Sequence, residues 1–283
     1  MMRALQSSTA VVRRRLPAVA ALALFGAALV LWAGSARAED TAWDDIRQEL
    51  YGTGREILPA AGIIALEAPY RALDAATVPI TVSSQIPQSD DRYIKTLTLV
   101  VDENPAPIVG TFHFSPANGI ASVSTRVRVN AYTNIRAIAE TNDGQLYMAA
   151  AYVKASGGCS APASSDQEAA LARMGKMKLK QIGAWRQNEL SEAQFQVSHP
   201  NYSGMQQDQM SQLWIPALYV RSIELTLGQR EILRFEGDIS ISENPTFRFF
   251  VKPQGSEILH ATVIASDDEV FEQSWPIQVE PSS

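Results

Sequence analysis

From residue 94 onward the chain alternates apolar and polar positions with period two, the mark of half-buried β-strands. Leu97, Leu99 and Val101 alternate with Thr96, Thr98 and Val100, and Val123, Thr125, Val127 and Val129 with Ser124, Arg126 and Arg128. Ile135 to Glu140, the turn Asn142-Asp-Gly144 and Leu146 to Val153 read as a hairpin. A second series starts at Met177 and continues through Phe195 and Val197, Ile223 to Leu227, Ile232 to Phe235, Phe247 to Val251, Ile258 to Ile264 and Val270 to Val279.

Two stretches break this rhythm. Trp43, Ile46, Leu50 and Ile57 lie at roughly helical spacing, which predicts one short helix ending near Gly52 and packing on the first domain. Residues 155–175 carry no apolar periodicity: Ala155 to Ser165 is small, polar and glycine-containing, and Asp166 to Met174 suits a brief helix. The pattern predicts an all-β chain of two immunoglobulin-like antiparallel β-sandwich domains, residues 39–154 and 176–283. A flexible, solvated arm and linker over 155–175 joins them.

The N-terminus reads as a signal peptide over residues 1–38. Arg13, Arg14 and Arg15 form a basic region, Leu16 to Ala33 an apolar one, and Ala36-Arg-Ala38 a cleavage site. The apolar run approaches the length of a membrane span, but the cleavage triplet favours removal, by Sec or twin-arginine export, into the periplasm. No cysteine lies near the cut, so a lipid anchor there is excluded. Cleavage takes five of the 24 basic residues and none of the 30 acidic ones, leaving 19 against 30. An acidic chain of this kind argues against nucleic acid or an anionic membrane as partner.

Against this background Cys159 stands out as the only cysteine, in the run Lys154-Ala-Ser-Gly-Gly-Cys-Ser-Ala-Pro162. It has no internal disulfide partner. A thiolate bonds reversibly to sulfur, and Gly157 and Gly158 remove side-chain bulk, so that the segment could thread a narrow channel. No histidine is near in sequence to activate the thiol, which suits a carrier better than a hydrolase. In an exposed segment, Cys159→Ser would leave the melting temperature unchanged.

Other constellations are weak. His113, His199 and His260 lie in separate segments without metal-ligand spacing, and one cysteine cannot build a zinc or iron–sulfur site. Gly157-Gly158 precedes no helix, so no phosphate loop is formed, and Ser160 and its neighbouring serines lack a histidine–acid pair. No catalytic residue, metal or cofactor is read. Arg126 and Arg128 share a strand face and are read as solvated; the alternative is contact with an anionic cargo on the arm.

The first domain resembles SoxY, through Asp102-Glu-Asn-Pro-Ala-Pro107, Thr111-Phe-His-Phe-Ser-Pro116, Ser124-Thr-Arg126, Ala137-Ile-Ala-Glu140 and Gly157-Gly-Cys159. The second resembles SoxZ, through His199-Pro200, Gly204, Trp214-Ile-Pro216 and Ser242-Glu-Asn-Pro-Thr-Phe-Arg-Phe249. As a whole the chain resembles the fused SoxYZ-like carrier that accompanies quinoprotein dehydrogenases. The resemblance implies a non-enzymatic carrier that holds a sulfur intermediate on Cys159, with Gly157, Gly158 and Ser160 in its arm. It also implies pairing of the two domains within the chain. The implied partners are Sox-type enzymes or a quinoprotein dehydrogenase system, with a haem protein for oxidative coupling. Two departures are notable: Ser160 and Ala161 stand where SoxY has glycines, and a whole domain follows the cysteine. Alternative readings are an accessory protein of a PQQ-dependent alcohol or methanol dehydrogenase, and an adaptor whose thiol forms a disulfide-linked dimer.

Overall fold

The computed structural model describes residues 37–163 and 167–280, so the export segment read over 1–38 lies, but for its last two residues, outside the described residues. The first half contains α1 (Arg37–Tyr51), β1 (Ile57–Pro59), β2 (Ile64–Glu67), β3 (Val78–Ser84), β4 (Ile94–Val101), β5 (Ile108–His113), β6 (Val123–Val127), β7 (Thr133–Thr141) and β8 (Leu146–Val153). A short α2 (Gln167–Leu171) follows. The second half contains β9 (Met177–Ile182), β10 (Ser191–Val197), β11 (Val220–Leu227), β12 (Arg230–Gly237), β13 (Thr246–Val251), β14 (Ile258–Ala265) and β15 (Val270–Pro276).

The all-β reading holds, as two immunoglobulin-like sandwiches, and their junction is more intimate than a docking of separate bodies. One nine-stranded sheet runs β1-β8-β7-β4-β5-β12-β11-β14-β15, and one six-stranded sheet runs β2-β3-β6-β13-β10-β9. Both sheets therefore cross from the first half to the second, at β5–β12 and β6–β13, both antiparallel. Each crossing removes two exposed strand edges, which otherwise invite aggregation.

The interior at this seam is aromatic. Phe112, on β5, faces Phe235 of β12, their rings 4.7 Å apart, and Phe247 of β13 lies 5.0 Å and 4.8 Å from the two. All three are fully buried, within one apolar core that takes residues from both halves. The Phe235 ring lies over the paired Gly110 and Gly237: a Cβ at Gly110 would come within 2.5 Å of it. Side chains here would push the ring out of the core.

Helix α1 packs on the first half as expected, Trp43 and Ile46 meeting Val100, Ile138 and Leu146. Both faces of β4 are thus covered, and its last five residues are all buried. Ile57, grouped with the helical positions by spacing, lies past the helix end at Tyr51 and belongs to β1, which pairs parallel with β8. Strand β3 is absent from the sequence reading although Val78, Ile80 and Val82 alternate with Pro79, Thr81 and Ser83; a proline within such a run argues against a strand. Pro79 lies beyond the register with β2 and faces Arg126 of β6, so its missing N–H costs one ladder position at most.

Candidate functional site

The site begins where β6 ends. Strand alternation stops at Val127, and Val127, Arg128 and Val129 are all buried. The backbone here leaves its ladder for a network centred on Asn104. The Asn104 amide donates to the Arg128 carbonyl (2.8 Å) and to Ser240 Oγ (2.9 Å), and its Oδ1 accepts from the Asn130 N–H (2.8 Å). The Arg128 N–H donates to the Ser240 carbonyl at 2.9 Å. This fixes residues 128–130 as a rigid ledge.

The cysteine arm lies on that ledge. The Gly157 N–H donates to the Asn130 carbonyl (2.9 Å) and the Gly158 N–H to the Val129 carbonyl (3.0 Å). The two glycines serve different needs. Gly157 has φ +80°, in the left-handed region. Gly158 has no room for a side chain, since a Cβ there would lie 2.0 Å from the Ala75 carbonyl oxygen.

The second half closes over the arm with the loop 199–206. Ser203 Oγ donates to the Cys159 carbonyl, and Gln206 Nε2 to the Ala161 carbonyl at 2.9 Å. Arg128 ties the two sides together, donating from one terminal nitrogen to the Gly158 carbonyl (3.1 Å) and from the other to the Asn201 carbonyl (3.0 Å). Beyond the cysteine, Ala163 packs with Tyr202, Ile215 and Leu218. The loop itself is braced by Asn244: the His199 N–H donates to its Oδ1, and its own N–H donates to the His199 carbonyl.

Cys159 is therefore fully buried, with 0% of its surface exposed. This corrects the expectation of a solvated arm. Composition pointed to solvent because the arm is small and polar with no apolar periodicity, but the segment is held largely through its backbone by partners far away in sequence. Ser160 remains exposed, its hydroxyl donating to the Gly157 carbonyl at 3.4 Å. It borders a groove of about 270 Å³ that Pro162, Met205 and Trp214 also line. Two sets of exposed apolar side chains, Met210, Leu213 and Trp214 in one and Tyr70, Leu73 and Tyr132 in the other, belong to the two halves of the chain.

Burial pushes the Cys159 thiol above its usual range, and the Arg128 guanidinium opposes this. The docked thiol is thus protonated at neutral pH and a poor nucleophile. Burial in turn pushes Arg128 down, against the fields of Cys159, Glu243 and Asp74. Arg128 was read as solvated with Arg126. Arg126 is exposed, but Arg128 is 2% exposed and contacts the arm directly.

The three histidines stay apart. His113 on β5 meets Arg234 across the seam at 3.2 Å, and His260 on β14 pairs with Ser274 on β15. His199 sits in the clamp loop, buried, its Nδ1 accepting from the Asn201 N–H, and burial lowers its pKa to about 4. No group of three His, Cys, Asp or Glu residues among the described residues is placed to hold a metal ion. Sequence reasoning missed Asn104 and Asn244 as supports of the site. The repeated Glu-Asn-Pro at 103–105 and 243–245 was the available signal.

Comparison with known proteins agrees with this architecture. The family model described as sulfur oxidation protein SoxY matches residues 47–159, ending on the cysteine itself. The model described as sulphur oxidation protein SoxZ matches residues 179–276. No curated protein matches the chain. Among solved structures, the sulfur carrier protein SoxY from Chlorobium limicola f thiosulfatophilum is similar at 27% identity and TM-score 0.34, over 41% of this chain and 96% of that one. A superoxide reductase (neelaredoxin) from Ignicoccus hospitalis is similar at 20% identity and TM-score 0.30, over 32% of this chain and 79% of that one. Two family matches in tandem, covering most of the described residues, make this chain a fused member of the SoxY and SoxZ families, a SoxY domain followed by a SoxZ domain in one polypeptide.

Proposed function

We propose that this protein is a periplasmic covalent sulfur carrier whose cargo is bonded to Cys159 and delivered to partner enzymes. The observation that carries the reading is the position of the cysteine. It terminates the SoxY match and lies between the ledge of one domain and the clamp loop of the other. A carrier of labile sulfur needs a state that hides the adduct and a state that presents it. The docked arm, held mostly by hydrogen bonds to its backbone, supplies the first, and its release supplies the second. Such bonds are worth only about 1 kcal/mol each, net of water, so local opening without unfolding of the sheets is feasible. Burial of the thiol also disfavours a role as a disulfide-dimerising group in the docked state.

Loading by thiosulfate is an oxidation. Cys159–SH and thiosulfate give Cys159–S–S–SO3⁻, one proton and two electrons, so a haem-type electron acceptor must be supplied by a partner protein. The chain acts as the shuttle and its partners perform the catalysis. Intact-mass analysis of protein isolated from periplasm of thiosulfate-grown cells tests this. Thiosulfonate or sulfane-sulfur adducts that vanish in Cys159→Ser are expected; an unmodified thiol throughout would overturn the reading.

A further inference from the structure

Arg128 is a buried cation without a counter-ion. Two terminal N–H groups are spent on the carbonyls of Gly158 and Asn201, its Nε has no hydrogen-bond partner, and the residue is 2% exposed. It forms no ion pair among the described residues: Glu243 and Asp74 influence it without approaching to salt-bridge distance. A desolvated guanidinium is costly unless paired, and Arg cannot escape by losing its proton. The group to which it is bonded is the residue immediately before Cys159. The unpaired charge and the unused N–H are therefore held next to Cys159, the side chain that bears the cargo in the carrier reading.

The geometry points to Arg128 as a positioning residue for the carried group, making the docked arm a binding site selective for anionic, oxyanion-bearing adducts of Cys159, such as the thiosulfonate, over neutral ones. This rests on the carrier reading and adds the residue that discriminates among adducts by charge. A sulfonate terminus supplies both the negative charge that Arg128 lacks and oxygens able to accept from its Nε–H. A neutral disulfide supplies neither. The arm then docks more tightly when loaded with an anionic group, and sheltering follows cargo charge.

Both adduct types can be installed on the full chain with reagents that themselves serve as the two-electron oxidant of the thiol. The Cys159 thiolate attacks tetrathionate, forming Cys159–S–S–SO3⁻ and releasing thiosulfate. The same thiolate attacks methyl methanethiosulfonate, forming Cys159–S–S–CH3 and releasing methanesulfinate. In each case the thiol proton passes to solvent. Loading is done in urea, which is then removed, and completeness is checked by intact mass. Release by glutathione is timed on the folded protein, and each rate is divided by that for the same adduct on the urea-unfolded chain. The thiosulfonate is expected to be protected at least tenfold more than the methylthio group on the wild-type chain. Arg128→Met should bring the two protections to parity, and Arg128→Lys should recover part of the difference. Equal or weaker protection of the thiosulfonate on the wild-type chain would overturn the inference, whether or not the variants fold. The carrier reading would fail separately, through absence of any adduct on protein from the periplasm.

Discussion

The seam between the domains and the cradle around the arm both join the two halves of the chain, but by opposite means. At the seam, two strand pairings enclose Phe112, Phe235 and Phe247 in a shared apolar core. At the cradle, the arm contributes mainly backbone groups, held by amides, a hydroxyl and a buried guanidinium. Apolar burial is cumulative and yields only on unfolding. Backbone hydrogen bonds exchange for water at small net cost. The difference assigns permanence to the seam and release to the arm, as a carrier requires. In a two-chain carrier the seam would depend on concentration; the fusion makes it intramolecular.

The largest expected effect breaks the seam. Phe235→Ala should cost about 3–5 kcal/mol and lower the melting temperature of the whole chain, since the core it leaves is common to both halves. Calorimetry showing two separate transitions, one unaffected, would mean that the halves are independent.

A pH titration sharpens the contrast next. His199 belongs to the cradle and is neutral in the fold, with its pKa lowered from 6.5 to about 4 by burial and with Nδ1 occupied as an acceptor. The unfolded chain takes the proton first, so stability present above pH 6.5 is lost as the pH falls toward 4, by up to about 3 kcal/mol. Denaturant midpoints measured across that window should decline, and His199→Gln should flatten the slope.

The smallest of these effects is on the thiol itself. With Cys159 buried, Cys159→Ser places a hydroxyl in a desolvated position and should cost about 1–2 kcal/mol, a melting temperature lower by several degrees. The sequence pattern led to the contrary expectation of no change, and thermal melts of the two proteins decide between them.

The sequence made most of the strands from residue 94 onward legible through their period of two, even in β4, which is covered on both faces. It also showed the helix packed through Trp43 and Ile46, and the order of the two domains. What it hid has a common cause. Gly158 excludes a side chain because of Ala75, Ser203 reaches Cys159 across 44 positions of chain, and Arg128 turns inward only because β6 stops one residue before it. None of these depends on local periodicity. A polar, glycine-rich stretch gives the same signal whether water or a distant backbone satisfies its N–H and C=O groups. The candidate site was thus legible as a residue, Cys159, but not as a place.

The central claim is that the arm rests docked with its thiol hidden and opens without unfolding the sheets. Timed reaction of Cys159 with a chromogenic disulfide tests this most directly, on the native chain, on Gly158→Ala and on the urea-unfolded chain. Native labelling should be about 100-fold slower than unfolded, the equivalent of roughly 3 kcal/mol of opening. Gly158→Ala, whose methyl cannot fit beneath Ala75, should label nearly as fast as the unfolded chain while its sheets melt almost as before. Native labelling as fast as that of the unfolded chain would contradict the docked arm.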